Sequence, residues 1–102
     1  MNGDFNYLLI FTKAGVLRFI SHLDLLRLFQ RALRRAEIPV VFSNGFHPVP
    51  KIKFERALKL GVESKGEKLY LRLVLPLPPD ELMQRLNAQL PEDIQMVSAC
   101  RI

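Results

Sequence analysis

The stretch Lys68-Leu69-Tyr70-Leu71-Arg72-Leu73-Val74-Leu75 (KLYLRLVL) alternates without a break. In an extended chain Leu69, Leu71, Leu73 and Leu75 fall on one side, and Lys68, Tyr70, Arg72 and Val74 on the other. Such a strand has one core face and one open, basic face, as in a sheet covered on one side only.

Upstream of it, Lys51-Ile52-Lys53-Phe54-Glu55 alternates charged and apolar residues and reads as a half-buried strand. Leu60-Gly61-Val62 and a polar turn over Glu63 to Gly66 separate the two. Downstream, Pro78-Pro79-Asp80-Glu81 combines an N-terminal proline with first-turn acids and opens a helix. Its apolar stripe is Leu82, Met83, Leu86 and Leu90, it stops at Pro91, and Ile94 to Ala99 reads as a last strand.

The first half of the chain repeats this order loosely. Phe5 to Thr12 (FNYLLIFT) is aromatic and branched, stops at Lys13-Ala14-Gly15 and reads as a strand, with Val16 to Ile20 a short extended continuation. Ser21 and Asp24 form an S-x-x-D cap for a helix over His22 to Ala36. At about 100° per residue, Leu25, Leu26, Phe29, Ala32, Leu33 and Ala36 share an apolar arc, while Arg27, Arg31, Arg34 and Arg35 lie opposite. Pro39 ends the helix and leads into the β-rich Val40-Val41-Phe42 and a loop, Ser43 to Pro50, that Pro48 and Pro50 hold extended.

The order β-α-β-β-α-β predicts a ferredoxin-like α+β domain, an antiparallel sheet with two helices on one face. With 102 residues, the chain suits one such domain over residues 1–102 and not two cores. Apolar residues make up 49% and charged residues 25%, which places the chain with globular and not disordered proteins.

The longest apolar run is Tyr7 to Phe11, and the Met-Asn-Gly-Asp start has no basic region before an apolar one. No membrane span or secretory signal is expected. Cys100, the single cysteine, fits a reducing, cytoplasmic setting. Two histidines and one cysteine have no recognised metal-ligand spacing, and neither H-E-x-x-H nor G-x-x-x-x-G-K-[ST] occurs, so no metal or other cofactor is expected.

The net charge of +5 favours an anionic partner. Lys13 to Arg72 holds thirteen basic and five acidic residues, and the remainder of the chain two and five. The arginines of the first helix offer forked donors at about one-turn spacing for phosphates, or make up a solvated outer face. His22 projects into the apolar arc, as a half-buried, hydrogen-bonded core histidine would. His47 lies in the Ser43 to Pro48 loop near Lys51, either as part of a binding loop or as an ordinary exposed histidine. Tyr70, Arg72 and Lys68, beside Phe5, Tyr7 and Phe11, invite comparison with base-stacking RNA-recognition sheets, although EKLYLRLV does not fit that signature and these aromatics have an alternative place beneath the helices.

LRFISHLDL (17–25), RALRRA (31–36), FSNGFHPVPKI (42–52) and LGVES (60–64) resemble the bacterial radical-SAM-linked protein family, found fused to or encoded beside radical S-adenosylmethionine proteins. The family usually carries a second histidine where this chain has Val49. Its members usually continue well past residue 102, so the chain would be the N-terminal half of a longer unit. The resemblance implies an accessory domain that presents a substrate to a radical enzyme, and the ribosomal-protein and ribonuclease genes near its relatives lean towards RNA.

The reading is therefore a non-catalytic domain that binds RNA or another anionic substrate and works with a radical SAM protein. Arg18 is expected beside the capped helix start, His22 as an organiser of that start, Asn44, His47 and Lys51 as groups reaching from the loop, and Arg27, Arg31, Arg34 and Arg35 as phosphate contacts. Two alternatives use the same residues: a metal-independent endoribonuclease with His22 and His47 as acid and base, and a protein-docking module whose arginines meet acidic side chains.

Overall fold

The computed structural model describes residues 4–102. Met1, Asn2 and Gly3, part of the predicted domain and of the segment read as lacking a secretory signal, lie outside the described residues.

Strand β1 (Phe5–Lys13) is followed by a short 3-10 helix (Gly15–Phe19), helix α1 (His22–Arg35), β2 (Lys53–Phe54), β3 (Ser64–Leu73), helix α2 (Pro79–Asn87) and β4 (Ile94–Arg101). The sheet is antiparallel in the order β2-β3-β1-β4, the ferredoxin-like arrangement that the element order predicts.

Tyr7 pairs with Leu71 and Leu9 with Leu69, so the alternation of both strands turns the same set inward. Tyr7, Leu9, Phe11, Leu69, Leu71 and Leu73 pack with Leu25, Phe29 and Leu33 of α1 and Leu82 and Leu86 of α2 in one core. Both helices thus cover one face of the sheet. The aromatics of β1 go beneath the helices: Tyr7 and Phe11 are fully buried and cannot stack bases on the open face. The Tyr7 hydroxyl instead donates to the Leu77 carbonyl at 2.6 Å and accepts from the Leu77 amide at 2.9 Å, pinning the entry to α2.

The Ser21 hydroxyl accepts from the Asp24 amide at 3.0 Å, which realises the predicted cap of α1. At the other end Glu37 takes φ 54°, the left-handed turn that commonly closes a helix. The Arg85 guanidinium of α2 supplies the missing donors there, reaching the Ala36 carbonyl at 2.6 Å and the Glu37 carbonyl at 2.8 Å.

Several local expectations are corrected. Val16 to Phe19 is not extended but winds into the 3-10 helix, and Leu17 and the extended Ile20 after it pack against the core. Val40 and Phe42 make isolated bridges, to Leu73 and Pro50, in place of a strand, because Pro39, Pro48 and Pro50 lack donors for a ladder. The polar Ser64 to Glu67, read as mostly turn, starts β3, which stops at Leu73 and leaves Leu75 exposed. Helix α2 ends at Asn87, before Leu90, and β4 runs on to Arg101. No helix of the described residues is long and apolar enough to cross a membrane.

Candidate functional site

Arg27, Arg31, Arg34 and Arg35 are all exposed on the face of α1 opposite its core stripe. Their surroundings differ. Arg27 is 3.8 Å from Asp24 in an exposed pair of little energetic weight. Arg34 donates from Nη2 to the Pro48 carbonyl at 2.6 Å, with its guanidinium 5.8 Å from the centre of the Phe42 ring. Among the described residues, no side-chain hydrogen bond or salt bridge engages Arg31 or Arg35.

One turn before Arg34, Gln30 donates to the Pro50 carbonyl at 3.4 Å. The segment these two residues hold is closed on itself: the Ser43 amide donates to the Val49 carbonyl at 2.8 Å, and the Val49 amide to the Ser43 hydroxyl at 3.1 Å. The Val41 amide donates to Arg72 of β3 at 2.9 Å, and the Lys51 amide to Val41 at 2.9 Å. Asn44, Phe46 and His47 form the exposed tip, where Gly45 takes φ 118°, a conformation that L side chains rarely adopt.

Between this segment, α1 and β3 lies an open groove of about 520 Å³. Leu26, Val49, Pro50 and Ile52 give it an apolar floor, while Gln30, Ser43, Lys51, Lys53, Tyr70 and Arg72 provide polar groups. No acidic residue is among its lining. Lys53 and Tyr70 are register partners of β2 and β3. The Glu55 carboxylate beside Tyr70 raises that phenol's pKa, chiefly as a hydrogen-bond acceptor.

Of the predicted residues, the structure brings Lys51 into the groove, with Arg34 holding the loop beside it. Asn44 and His47 stand at the loop tip. Arg18 lies at the opposite end of α1, donating to the Gly15 carbonyl at 3.0 Å and lying 4.5 Å over the Phe19 ring. His22 packs edge-on against Phe54, ring centres 4.9 Å apart, and no protein group hydrogen-bonds its buried Nδ1, contrary to the expected core bond. Twelve residues of helix between His22 and Arg34 amount to about 18 Å. His22 therefore lies near the start of α1, and the Arg34-anchored loop of His47 near its end.

Gln30, Lys53 and the fully exposed Phe46 join this region without being among the residues expected there. The alternation KIKFE carries the signal for Lys53, since it puts Lys51 and Lys53 on one side. Gln30 and Phe46 depend on where the loop folds.

A second polar cluster is part-buried, with Glu67 and Lys13 inside and Arg56 at the surface. Glu67, nearly buried, accepts from Arg56 Nε at 3.0 Å and Nη2 at 2.8 Å, and from the Ser64 hydroxyl. The Arg56 hydrogen bonds hold its carboxyl below the usual range, against the opposing effect of burial. Lys13, at 1% exposure, donates to the Lys59 carbonyl at 2.9 Å, and burial lowers its pKa despite the charge of Glu67. These bonds fasten the loop between β2 and β3. Among the described residues, no group of three or more His, Cys, Asp or Glu side chains is placed to hold a metal ion.

Residues 6–102 match a family described as an uncharacterized protein conserved in bacteria, DUF2344. The chain belongs to that family. The four blocks quoted from the sequence all lie within the DUF2344 match, as do the groove, the arginine face and the Lys13–Glu67 cluster. A search of curated proteins finds no match to the chain.

Proposed function

We propose that this DUF2344 domain is a non-catalytic RNA-binding module that presents its ligand to a radical SAM protein in the cytoplasm. The observation that carries the RNA reading is the groove between α1 and β3, whose lining brings Lys51, Lys53 and Arg72 together with Tyr70 and the apolar Leu26, Val49, Pro50 and Ile52. The exposed Arg27, Arg31 and Arg35 extend the positive surface along α1, suited to phosphates outside the groove. The radical SAM partner rests on the resemblance of the LRFISHLDL and FSNGFHPVPKI blocks, and the cytoplasmic setting on the lone, exposed Cys100.

A salt series with a labelled, structured RNA tests the RNA reading. About four phosphate contacts to single-stranded segments give a log–log slope near −3, so affinity should fall by several tens of fold between about 50 and 200 mM salt. Absence of binding at low salt, or binding indifferent to salt, removes RNA from the reading.

Protein docking keeps one observation of its own. Val16, Phe19, Leu60 and Val62 are exposed apolar residues on the 3-10 helix and the segment around Gly61, joined where the Gly61 amide donates to the Arg18 carbonyl at 2.6 Å. This surface is separate from the groove and leaves both roles open to one domain.

A further inference from the structure

We infer that the groove takes a single unpaired nucleotide of an RNA strand, its base laid on Tyr70 and its phosphate held among Lys51, Lys53 and Arg72. This deepens the RNA reading above and rests on it. At about 520 Å³ the groove falls in the small-ligand range of roughly 300–1,000 Å³, a size suited to one nucleotide and not to the width of a duplex. Its lining combines an aromatic ring and apolar side chains with three cations, the two kinds of group that a base and a phosphate need.

The placement follows from strand geometry. Tyr70 and Arg72 are two residues apart on β3, so both point to the open face about 6.6 Å from each other. Lys53 sits opposite Tyr70 in register, and the alternation continues it to Lys51. Tyr70, Arg72 and Lys53 therefore lie side by side on one face of the sheet, with Lys51 two residues beyond Lys53. Tyr70 offers an aromatic face of the kind on which unpaired bases stack. Gln30 and Arg34 fix the loop that forms the far wall by its carbonyls.

The test compares a labelled, unstructured RNA of about twelve nucleotides with a duplex of the same length, using wild type, Tyr70→Ala and Tyr70→Phe. The expected result is preference for the single strand, a loss of about 5- to 150-fold in that affinity for Tyr70→Ala, and near-wild-type binding for Tyr70→Phe. If Tyr70→Ala loses its native circular dichroism, Lys53→Glu carries the comparison, with selective loss of the single strand expected. A folded Tyr70→Ala that binds the single strand as wild type does, or a wild type that prefers the duplex, overturns the groove inference and leaves the RNA reading standing. A wild type that binds neither RNA at low salt overturns both.

Discussion

Arg34 donates to the carbonyl oxygen of Pro48 at 2.6 Å, and this bond ties the C-terminal half of α1 to the loop that walls the groove. Four arginines that look equivalent on a helical projection are thereby divided into a latch and a free surface.

That division predicts different outcomes for the same charge reversal. Arg31→Glu should weaken RNA binding while changing stability by no more than about 0.5 kcal/mol, as exposed substitutions usually do. Arg34→Glu should in addition release the loop at a cost of about 1 kcal/mol, the worth of one such bond. Hydrogen exchange at the Val49 and Lys51 amides distinguishes them: faster exchange in Arg34→Glu alone is expected, and equal protection in both variants would show that the latch does not hold the loop.

Arg85 should matter more than its half-exposed position on α2 suggests. Its guanidinium satisfies the Ala36 and Glu37 carbonyls at the end of α1, so Arg85→Met should destabilise the domain by about 1.5–3 kcal/mol. At the same helix end, Glu37→Gly should stabilise by up to about 1 kcal/mol, because φ 54° is strained for any residue with a Cβ. Urea unfolding of the two variants checks both signs, and a Glu37→Gly protein less stable than wild type would contradict the strain argument.

Much of this architecture is legible in the residues. Strict alternation in KLYLRLVL and the Ser21–Asp24 cap are local signals, and the sheet and α1 form where they point. The misread segments are those whose conformation depends on distant partners. Ser64 to Glu67 has turn composition, yet it pairs with β1 as Glu67 finds Arg56 and Ser64, and Lys13 is buried where a turn would leave it in water. The branched and aromatic run from Val16 to Phe19 has strand propensity, but Leu17 packs on the core from a 3-10 turn. The candidate site divides likewise: helical spacing exposes the arginine face, whereas the groove depends on a loop held by Gln30 and Arg34 and by backbone bonds to Arg72 and within itself.

The Lys13–Glu67 cluster sets a direction for pH dependence. Glu67 has a depressed folded-state pKa, so its contribution is complete above the ordinary carboxylate range near 4.5 and is lost as pH falls through the lower folded value. Lys13 works oppositely: with its pKa lowered from 10.5, its buried charge opposes folding at neutral pH, and stability rises as it deprotonates. Glu67→Gln should therefore destabilise the domain at neutral pH by about 1–3 kcal/mol, since the bonds from Arg56 and Ser64 lose their charged acceptor, and should flatten the acid limb of the stability curve. Adding Lys13→Met to Glu67→Gln should recover part of the loss. An additive double variant would show that the two groups are not coupled.

The last prediction separates a binder from a nuclease. General acid–base cleavage by a histidine pair needs both rings within hydrogen-bond reach of one phosphodiester, directly or through one water. His22 is packed on Phe54 near the start of α1, and His47 stands on the loop that Arg34 holds about three turns further along. If His47 were nevertheless an acid or base, His47→Ala would reduce cleavage about 10²–10⁴-fold. If it serves binding alone, the same change alters affinity and no strand is cut. In a metal-free incubation with structured RNA, followed by gel analysis of the strands, intact RNA is expected from wild type and His47→Ala alike. Cutting by wild type that disappears in His47→Ala would make the domain an enzyme and place His47 in its reaction.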